Sequence, residues 1–181
     1  MHMNIRVASV ADAAAIAGLH AESWRNAYRG MLQDDYLDRT IFPERLALWE
    51  ARFRAPAVNQ YVVVAEVGEK VAGFACAYGD EDPELGCFLD NLHVAHAHMR
   101  HGIGSALMRD VAQWSLASWP DDGMYLWVLE SNGPAICFYE SIGGRRAGEG
   151  VWNPPDGGAY RKLRYAWDDL RSFARAGATD D

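Results

Sequence analysis

The sequence predicts one domain of mixed α/β type, and three observations lead to this prediction. The 181 residues, half of them apolar, are enough for one hydrophobic core and too few for two domains of ordinary size. Trp, Tyr and Phe, which make up 12% of the chain, supply large buried areas that a disordered chain would lack. Segments with strand-like alternation and segments with helical spacing of apolar residues follow one another along the chain.

The first half of the chain predicts one strand, two helices and a β-hairpin, in that order. Residues 4–8 alternate as a short strand, and Asp12 is the expected N-cap of an alanine-rich helix. Pro43 stands near the start of a second helix, where proline is tolerated because the first helical N–H groups have no intrahelical acceptor. Two β-rich runs, 61–66 and 71–78, are separated by a glycine-containing turn and predict the hairpin.

The second half predicts alternating strands and helices. Residues 87–94 and 124–129 are strand-like, and between them apolar residues from Ile103 to Trp114 recur on one helical face. A helix that connects two strands of one sheet implies that these strands run parallel, with a right-handed crossover.

The C-terminal part predicts a further helix and strand. Residues 131–134, Ser-Asn-Gly-Pro, are a strong helix start, and residues 159–167 read as the final strand, with one more short strand at 145–151. We expect a single domain over residues 1–171 and a C-terminal tail over residues 172–181.

The formal charge of -8 argues against two classes of partner. A negative field repels phosphate polymers and anionic lipid surfaces, so we expect neither nucleic acid nor a membrane as a partner. Cys76, Cys87 and Cys137 are widely spaced and form no CxxC pair, which disfavours a disulfide framework and a zinc knuckle. Residues 1–8 lack a signal-peptide pattern and no apolar run has membrane-spanning length, so the expected location is the cytoplasm.

The segment after the 87–94 strand predicts a site for a phosphate-bearing ligand. Residues 100–105, RHGIGS, connect that strand to the amphipathic helix. Free N–H groups and the positive end of the helix dipole favour a pyrophosphate there, although GxG alone is equally typical of a tight turn. A dinucleotide-binding fingerprint would need a third glycine where Leu107 stands, and GxxxxGK[ST] does not occur, so both common nucleotide folds are disfavoured.

A second motif follows the 124–129 strand, where residues 132–143 read NGPAICFYESIG. Together with residues 99–104, MRHGIG, this segment resembles the GNAT (Gcn5-related N-acetyltransferase) family, with its motifs [Q/R]xxGx[G/A] and Nxx[A]xx[F/L]YxxxGF. Two positions depart from the pattern: Met99 stands for Gln or Arg, and Gly144 stands for Phe. Arg100 or His101 could supply the side-chain donor that Met99 lacks.

The resemblance implies a mostly antiparallel sheet with helices on both faces and one splayed parallel strand pair that holds acetyl-CoA. It also implies direct attack of a primary amine on the bound thioester. Tyr139 matches the tyrosine that protonates the leaving thiolate in many relatives, and Asp90, or else water, would accept the proton of the amine. The implied coenzyme-binding residues are Leu92, His93, Val94, Met99, Arg100, His101, Gly102, Ile103, Gly104, Ser105, Asn132, Phe138 and Tyr139.

Several residues keep a second interpretation. Trp24 and Tyr28 form a WxxxYxG pattern and either line the acceptor pocket or pack in the core, and Tyr139 and Asp90 could likewise be structural. Cys137 is expected to be a buried, inert thiol rather than the nucleophile of a hydrolase. The four histidines between positions 93 and 101 are not expected to bind a metal.

The motifs leave several properties of the protein undetermined. The alternative to an enzyme is a non-catalytic coenzyme A-binding regulatory domain of the same fold. The acceptor amine, the use of an acyl group other than acetyl and the formation of a homodimer are not fixed by the motifs.

Overall fold

The computed structural model describes residues 2–154 and 158–175, and within them the strands form one seven-stranded sheet. The strands are β1 Met3–Val7, β2 Gln60–Val67, β3 Lys70–Asp82, β4 Gly86–Val94, β5 Met124–Leu129, β6 Arg145–Trp152 and β7 Tyr160–Trp167. The α-helices are α1 Ala13–Tyr28, α2 Ile41–Arg54, α3 Ile103–Ser118, α4 Gly133–Ser141 and α5 Leu170–Arg175. A π-helical turn, Tyr36–Thr40, leads into α2.

The strand order is β1-β2-β3-β4-β5-β7-β6, and only the pair of β4 with β5 is parallel. The chain crosses from β4 to β5 through α3, which makes that pair parallel. The predicted mixed α/β fold with a mostly antiparallel sheet is therefore confirmed.

Helices cover both faces of the sheet because the side chains of each strand alternate between the faces. On one face, Ile16 of α1 and Trp49 of α2 pack against Phe74 of β3, and all three are fully buried. On the other face, Leu107 of α3 belongs to a second buried cluster that includes Ala75 of β3. Burying each large apolar side chain contributes about 1.5–3 kcal/mol, so these clusters hold the helices to the sheet.

One extra residue in β4 forms a β-bulge. Cys76 of β3 is paired with Asn91, but the next residue, Ala77, is paired with Leu89, so Asp90 has no partner on β3. A bulge bends its strand and increases the local twist. It lies in the part of β4 that leaves β5.

The strands β4 and β5 are paired only at their starts. Cys87 is paired with Met124 and Phe88 with Tyr125, and within these two fully described strands the pairing stops there. Residues further along both strands therefore border a gap in the sheet, which confirms the predicted splayed pair.

Two local features differ from the sequence prediction. Asp12 makes no side-chain cap of α1, because its carboxylate binds Arg6 at 2.8 Å and accepts the N–H of Ser9 at 2.8 Å. The helix α5 extends into the segment predicted as a tail, and residues 176–181 of that segment lie outside the described residues. No helix in the described ranges combines the length and the apolar character needed to cross a bilayer.

Candidate active site

A cleft of about 950 Å³ opens where β4 and β5 separate. It extends from the gap between the strands, past the starts of α3 and α4, to aromatic side chains of α1 and β6. We call the first part, residues 89–94, 102–105 and 126–129, the gap end. The other part, built around Trp24, Tyr28 and Trp152, is the aromatic end.

The gap end exposes backbone groups of β4. Beyond Phe88, the N–H and C=O groups of β4 that point toward β5 have no strand partner there. A ligand that carries amide groups can pair with such an edge as an added strand does.

The start of α3 forms a cradle of free amides. Gly102 is the N-cap with φ of 80°, a left-handed conformation that favours glycine, and no side chain caps the helix. The N–H groups of residues 103–105 precede the first intrahelical bond, from the N–H of Ala106 to the carbonyl of Gly102 at 3.0 Å. Together with the helix dipole, these amides favour a phosphate group.

The helix α4 packs closely against this cradle. Asn132 caps α4, because its Oδ1 accepts a hydrogen bond from the N–H of Ala135 at 3.3 Å. A Cβ at Gly104 would lie 3.2 Å from Cζ of Phe138, a tight contact, so a glycine at residue 104 favours close packing of α4 against the start of α3. Tyr139, the next residue of α4, lies on the cleft wall.

Tyr139 is 9% exposed and lines the cleft. Its ring lies 6.3 Å from that of Tyr165 and 6.0 Å from that of Trp167, between centroids. Burial raises the pKa of Tyr139, and the neighbouring Tyr28 raises it further. The phenol therefore keeps its proton at neutral pH and can act as a donor.

The bulge residue Asp90 is ion-paired on the cleft wall. Arg52 of α2 donates from Nη2 to Oδ2 of Asp90 at 2.8 Å and from Nη1 to Oδ1 of Asn91 at 3.0 Å. The bulge makes this possible because it turns two successive side chains toward α2. The ion pair engages Oδ2 and leaves Oδ1 of the carboxylate outside that contact.

Three aromatic rings form the aromatic end. The centroid of Trp24 lies 4.9 Å from that of Tyr28 and 5.8 Å from that of Trp152, and the last two rings are 5.3 Å apart. The guanidinium of Arg45 lies 4.7 Å from the centroid of Trp24. Burial raises the pKa of Tyr28, and the charge of Arg45 opposes this shift.

Two histidines connect the two ends of the cleft. The rings of His20 and His93 are 4.8 Å apart. Burial lowers the pKa of His93 to about 4 and that of His20 to about 2, where the nearby His93, Arg45 and Arg52 also disfavour a proton on His20. Nδ1 of His20 accepts a hydrogen bond from Nε1 of Trp49 at 3.2 Å, so the neutral ring carries its proton on Nε2.

The cleft wall contains most of the residues expected from the sequence. Asp90, Trp24 and Tyr28 line it, whereas His101 is exposed and lies outside the wall. The implied coenzyme-binding residues on the wall are Leu92, His93, Val94, Met99, Arg100, Gly102, Ile103, Gly104, Ser105, Asn132, Phe138 and Tyr139.

Several residues of the wall were not predicted from the sequence, among them His20, Arg45, Arg52 and Trp152. They belong to α1, α2 and β6 and stand in no motif. The helical spacing around them is the same signal that predicts core residues, so it could not separate the two roles.

Cys137 is exposed, so the expectation of a buried thiol was wrong. On α4 it lies two residues from Tyr139, about 200° around the helix, and it is not part of the cleft wall. Among residues 2–154 and 158–175, no group of three or more His, Cys, Asp or Glu side chains is arranged to hold a metal ion.

The model of the acetyltransferase (GNAT) family matches residues 21–144, which include the amide cradle, Asp90 and Tyr139. The chain belongs to the GNAT family. It is similar to the uncharacterized N-acetyltransferase YuaI of Bacillus subtilis, with 27% identity over 94% of this chain and 96% of that protein. Family membership makes this GNAT protein an acyltransferase.

Solved GNAT structures share its fold. The PaiA N-acetyltransferase of Thermoplasma acidophilum, solved in complex with coenzyme A, has a TM-score of 0.69 and 18% identity, over 92% of this chain and all of that one. The structure of yncA from Salmonella typhimurium, solved with acetyl-CoA, has a TM-score of 0.66 and 21% identity, over 100% of this chain and 99% of that one.

One departure from the GNAT motif has a steric cause. A Cβ at Gly144 would lie 2.7 Å from Cζ2 of Trp167 and 2.8 Å from the carbonyl oxygen of Tyr139. Trp167 of β7 therefore fills the space beside residue 144 that a phenylalanine would need. The other departure, Met99, is 47% exposed and lies on the cleft wall next to Arg100.

Proposed function

We propose that this GNAT protein transfers an acetyl group from acetyl-CoA to a primary amine that attacks the thioester directly. The observation that carries the proposal is one continuous cleft that joins the uncapped start of α3 to Tyr139 and Asp90. The coenzyme A and acetyl-CoA complexes of the two solved relatives support the same donor here.

The gap end fits coenzyme A. The free amides of residues 103–105 suit a pyrophosphate, and Gly102 allows the backbone to approach it closely. The unpaired edge of β4 suits the two amides of pantetheine. Arg100 on the wall adds positive charge beside Met99, where other family members have Gln or Arg.

Bound acetyl-CoA would supply the acetyl group as an activated thioester. The amine nitrogen forms a bond to the carbonyl carbon, and the bond from that carbon to sulfur breaks. N–H groups at the free edge of β4 stabilise the negative charge that develops on the carbonyl oxygen. Tyr139 donates its phenolic proton to the departing sulfur, a role that suits a phenol kept protonated by burial.

In this mechanism Asp90 is the base that accepts a proton from the amine. An amine with a pKa near ~10 is almost fully protonated at neutral pH, so a proton must leave before the nitrogen can attack. Asp90 lies on the cleft wall with Oδ1 outside its contact with Arg52, and it accepts the proton directly or through a water molecule.

The test is release of coenzyme A thiol from acetyl-CoA across a library of primary amines, with Tyr139→Phe beside the wild type. We expect kcat to fall about 100-fold or more, because the acid is lost, while the Kd for coenzyme A stays within about twofold. Tyr165→Phe is the matched control. The ring of Tyr165 contacts that of Tyr139 from outside the cleft, and its hydroxyl donates a hydrogen bond to Oε1 of Glu140 at 2.6 Å.

Two outcomes would contradict the proposal in different ways. Unchanged turnover in Tyr139→Phe would remove Tyr139 from the chemistry. Coenzyme binding and thermal stabilisation without thiol release from any amine would favour the regulatory domain, because binding to the native state stabilises a protein whether or not it turns over.

A further inference from the structure

Arg45 on the wall of the aromatic end has unused hydrogen-bond donors. Its side chain is 14% exposed, and it binds Glu44 through Nη2. Among the described residues, the buried Nε has no hydrogen-bond partner. That Nε is closed off from the cleft, so a ligand would meet the Nη groups of the guanidinium instead. Nη1 donates to none of the described residues, and a ligand that accepts its N–H groups would be stabilised.

Glu44, the partner of Arg45, does not cancel the positive charge of Arg45 inside the cleft. Glu44 is 40% exposed, is not part of the cleft wall and also accepts a hydrogen bond from the hydroxyl of Tyr36 at 2.8 Å. The positive charge of Arg45, in contrast, acts on His20 and Tyr28 inside the cleft, where it disfavours a proton on both.

The remaining charges of the wall leave a positive excess near the aromatic end. Arg52 is matched by Asp90. The wall also carries Lys162, which lies 4.3 Å from the ring centroid of Trp127, Arg100, and the exposed Glu22, whose single negative charge does not balance these cations together with Arg45. His20 and His93 are neutral at neutral pH, because desolvation lowers the pKa of both rings.

We infer that the acceptor amine of this enzyme also carries a carboxylate, which Arg45 binds while an apolar side chain packs against Trp24, Tyr28 and Trp152. The acceptor class is therefore a small amino acid rather than a polyamine or a protein N-terminus. A polyamine would meet the charges of Arg45 and Lys162, and Arg45 already occupies one face of the Trp24 ring, where a cation could bind. This inference rests on the proposed acetyl transfer.

The experiment compares matched molecules in the thiol-release assay with acetyl-CoA. Leucine, methionine and phenylalanine are each tested against the primary amide and the decarboxylated amine of the same skeleton, with spermidine as the polycation. We expect kcat/KM at least about tenfold higher for the acids, since one charged hydrogen bond contributes about that much. Amino-acid amides have the less basic nitrogen and thus more free amine at neutral pH, so intrinsic reactivity opposes this preference.

Substitution of Arg45 identifies the group responsible. In Arg45→Gln, kcat/KM for the acids should fall about 10- to 100-fold while that for the amides stays within about twofold. Arg45→Lys keeps the charge but lacks the planar guanidinium, so its kcat/KM for the acids should lie between those of the wild type and Arg45→Gln. Arg39→Gln is the matched control, because Arg39 is 81% exposed, binds Asp35 and lies outside the cleft.

A binding measurement decides the matter if turnover is slow. Calorimetry of N-acetyl-leucine and N-acetyl-leucinamide, with coenzyme A present, should show tighter binding of the acid to the wild type and no difference in Arg45→Gln. The inference is overturned if amides, decarboxylated amines or spermidine are acetylated as well as the acids or better, or if the two N-acetyl compounds bind equally. Neither result would contradict acetyl transfer itself. Absence of both coenzyme binding and thiol release would instead contradict the proposed function.

Discussion

The two ends of the cleft are built in different ways. The gap end depends on backbone: free amides at the start of α3, an unpaired edge of β4 and a glycine at the contact between α3 and α4. The aromatic end depends on side chains from α1, α2 and β6, which are distant in sequence. A site built from backbone groups tolerates most side-chain substitutions as long as its glycines are kept. A site built from side chains changes its ligand preference when those side chains are replaced. The same fold can therefore keep one donor and vary the acceptor.

Of the substitutions that separate the two ends, Asp90→Asn, at their boundary, has the largest expected effect. Asparagine can still accept the hydrogen bond of Arg52 but cannot take up a proton, so we expect kcat/KM for the amine to fall about 100-fold. Coenzyme affinity should be unchanged. Raising the pH should restore part of the rate, because more of the amine is then neutral.

Asp110→Asn is the matched control for that substitution. Oδ1 of Asp110 accepts a hydrogen bond from the hydroxyl of Tyr61 at 2.7 Å, and the residue lies outside the cleft. Replacing this carboxylate should therefore leave turnover intact. If Asp90→Asn also leaves turnover intact, water alone accepts the proton and Asp90 only positions Arg52.

Gly102→Val tests whether the gap end depends on backbone conformation. A Cβ at Gly102 meets nothing within 4 Å, so the substitution acts through the left-handed φ of 80°, which a β-branched residue adopts only with strain. We expect the Kd for coenzyme A to rise about tenfold or more by calorimetry. Gly68→Val carries the same type of strain, at φ of 64° with no neighbour within 4 Å, in the β2–β3 turn and should leave the Kd unchanged.

The strands and helix starts of the gap end were predictable because their sequence signals are local. Strand, glycine turn and helix start follow one another within residues 87–105, and the α4 motif is equally compact. The strand and helix order was predictable for the same reason, since each element spans a complete period of apolar residues.

The aromatic end and the bulge could not be predicted in the same way. Arg52 contacts Asp90 across 38 positions of sequence, and a bulge depends on the register between two strands rather than on the residues of one. Gly144 shows the same limit, because its cause is Trp167 on a strand that comes later in the chain.

Trp152→Ala tests the aromatic end and should have a smaller effect. The substitution removes the ring that contacts both Trp24 and Tyr28, so the KM for the amine should rise about tenfold while the Kd for coenzyme A stays unchanged. Val151→Ala on the same strand, at a side chain that is 54% exposed, is the control. A parallel loss of coenzyme affinity in Trp152→Ala would show that the two ends are not independent.

The smallest effect concerns the histidines between the two ends, and it appears in stability rather than turnover. Burial lowers the pKa of His93 to about 4, below its ordinary value of 6.5, so the unfolded chain binds a proton more readily than the folded one. Stability at neutral pH is thus lost progressively as the pH falls from about 6.5 toward about 4. His20, with its pKa lowered to about 2 by burial and neighbouring charges, acts in the same direction.

In His93→Gln, the decrease in Tm between pH 7 and pH 5 should shrink by about 2–4 °C, which corresponds to about 1 kcal/mol in a chain of this size. The exposed His101, changed to Gln, should leave that decrease as it is in the wild type. An identical decrease in His93→Gln and the wild type would mean that His93 takes up its proton as readily in the folded state as in the unfolded state, and the contact between its ring and His20 would then have to accommodate a charge.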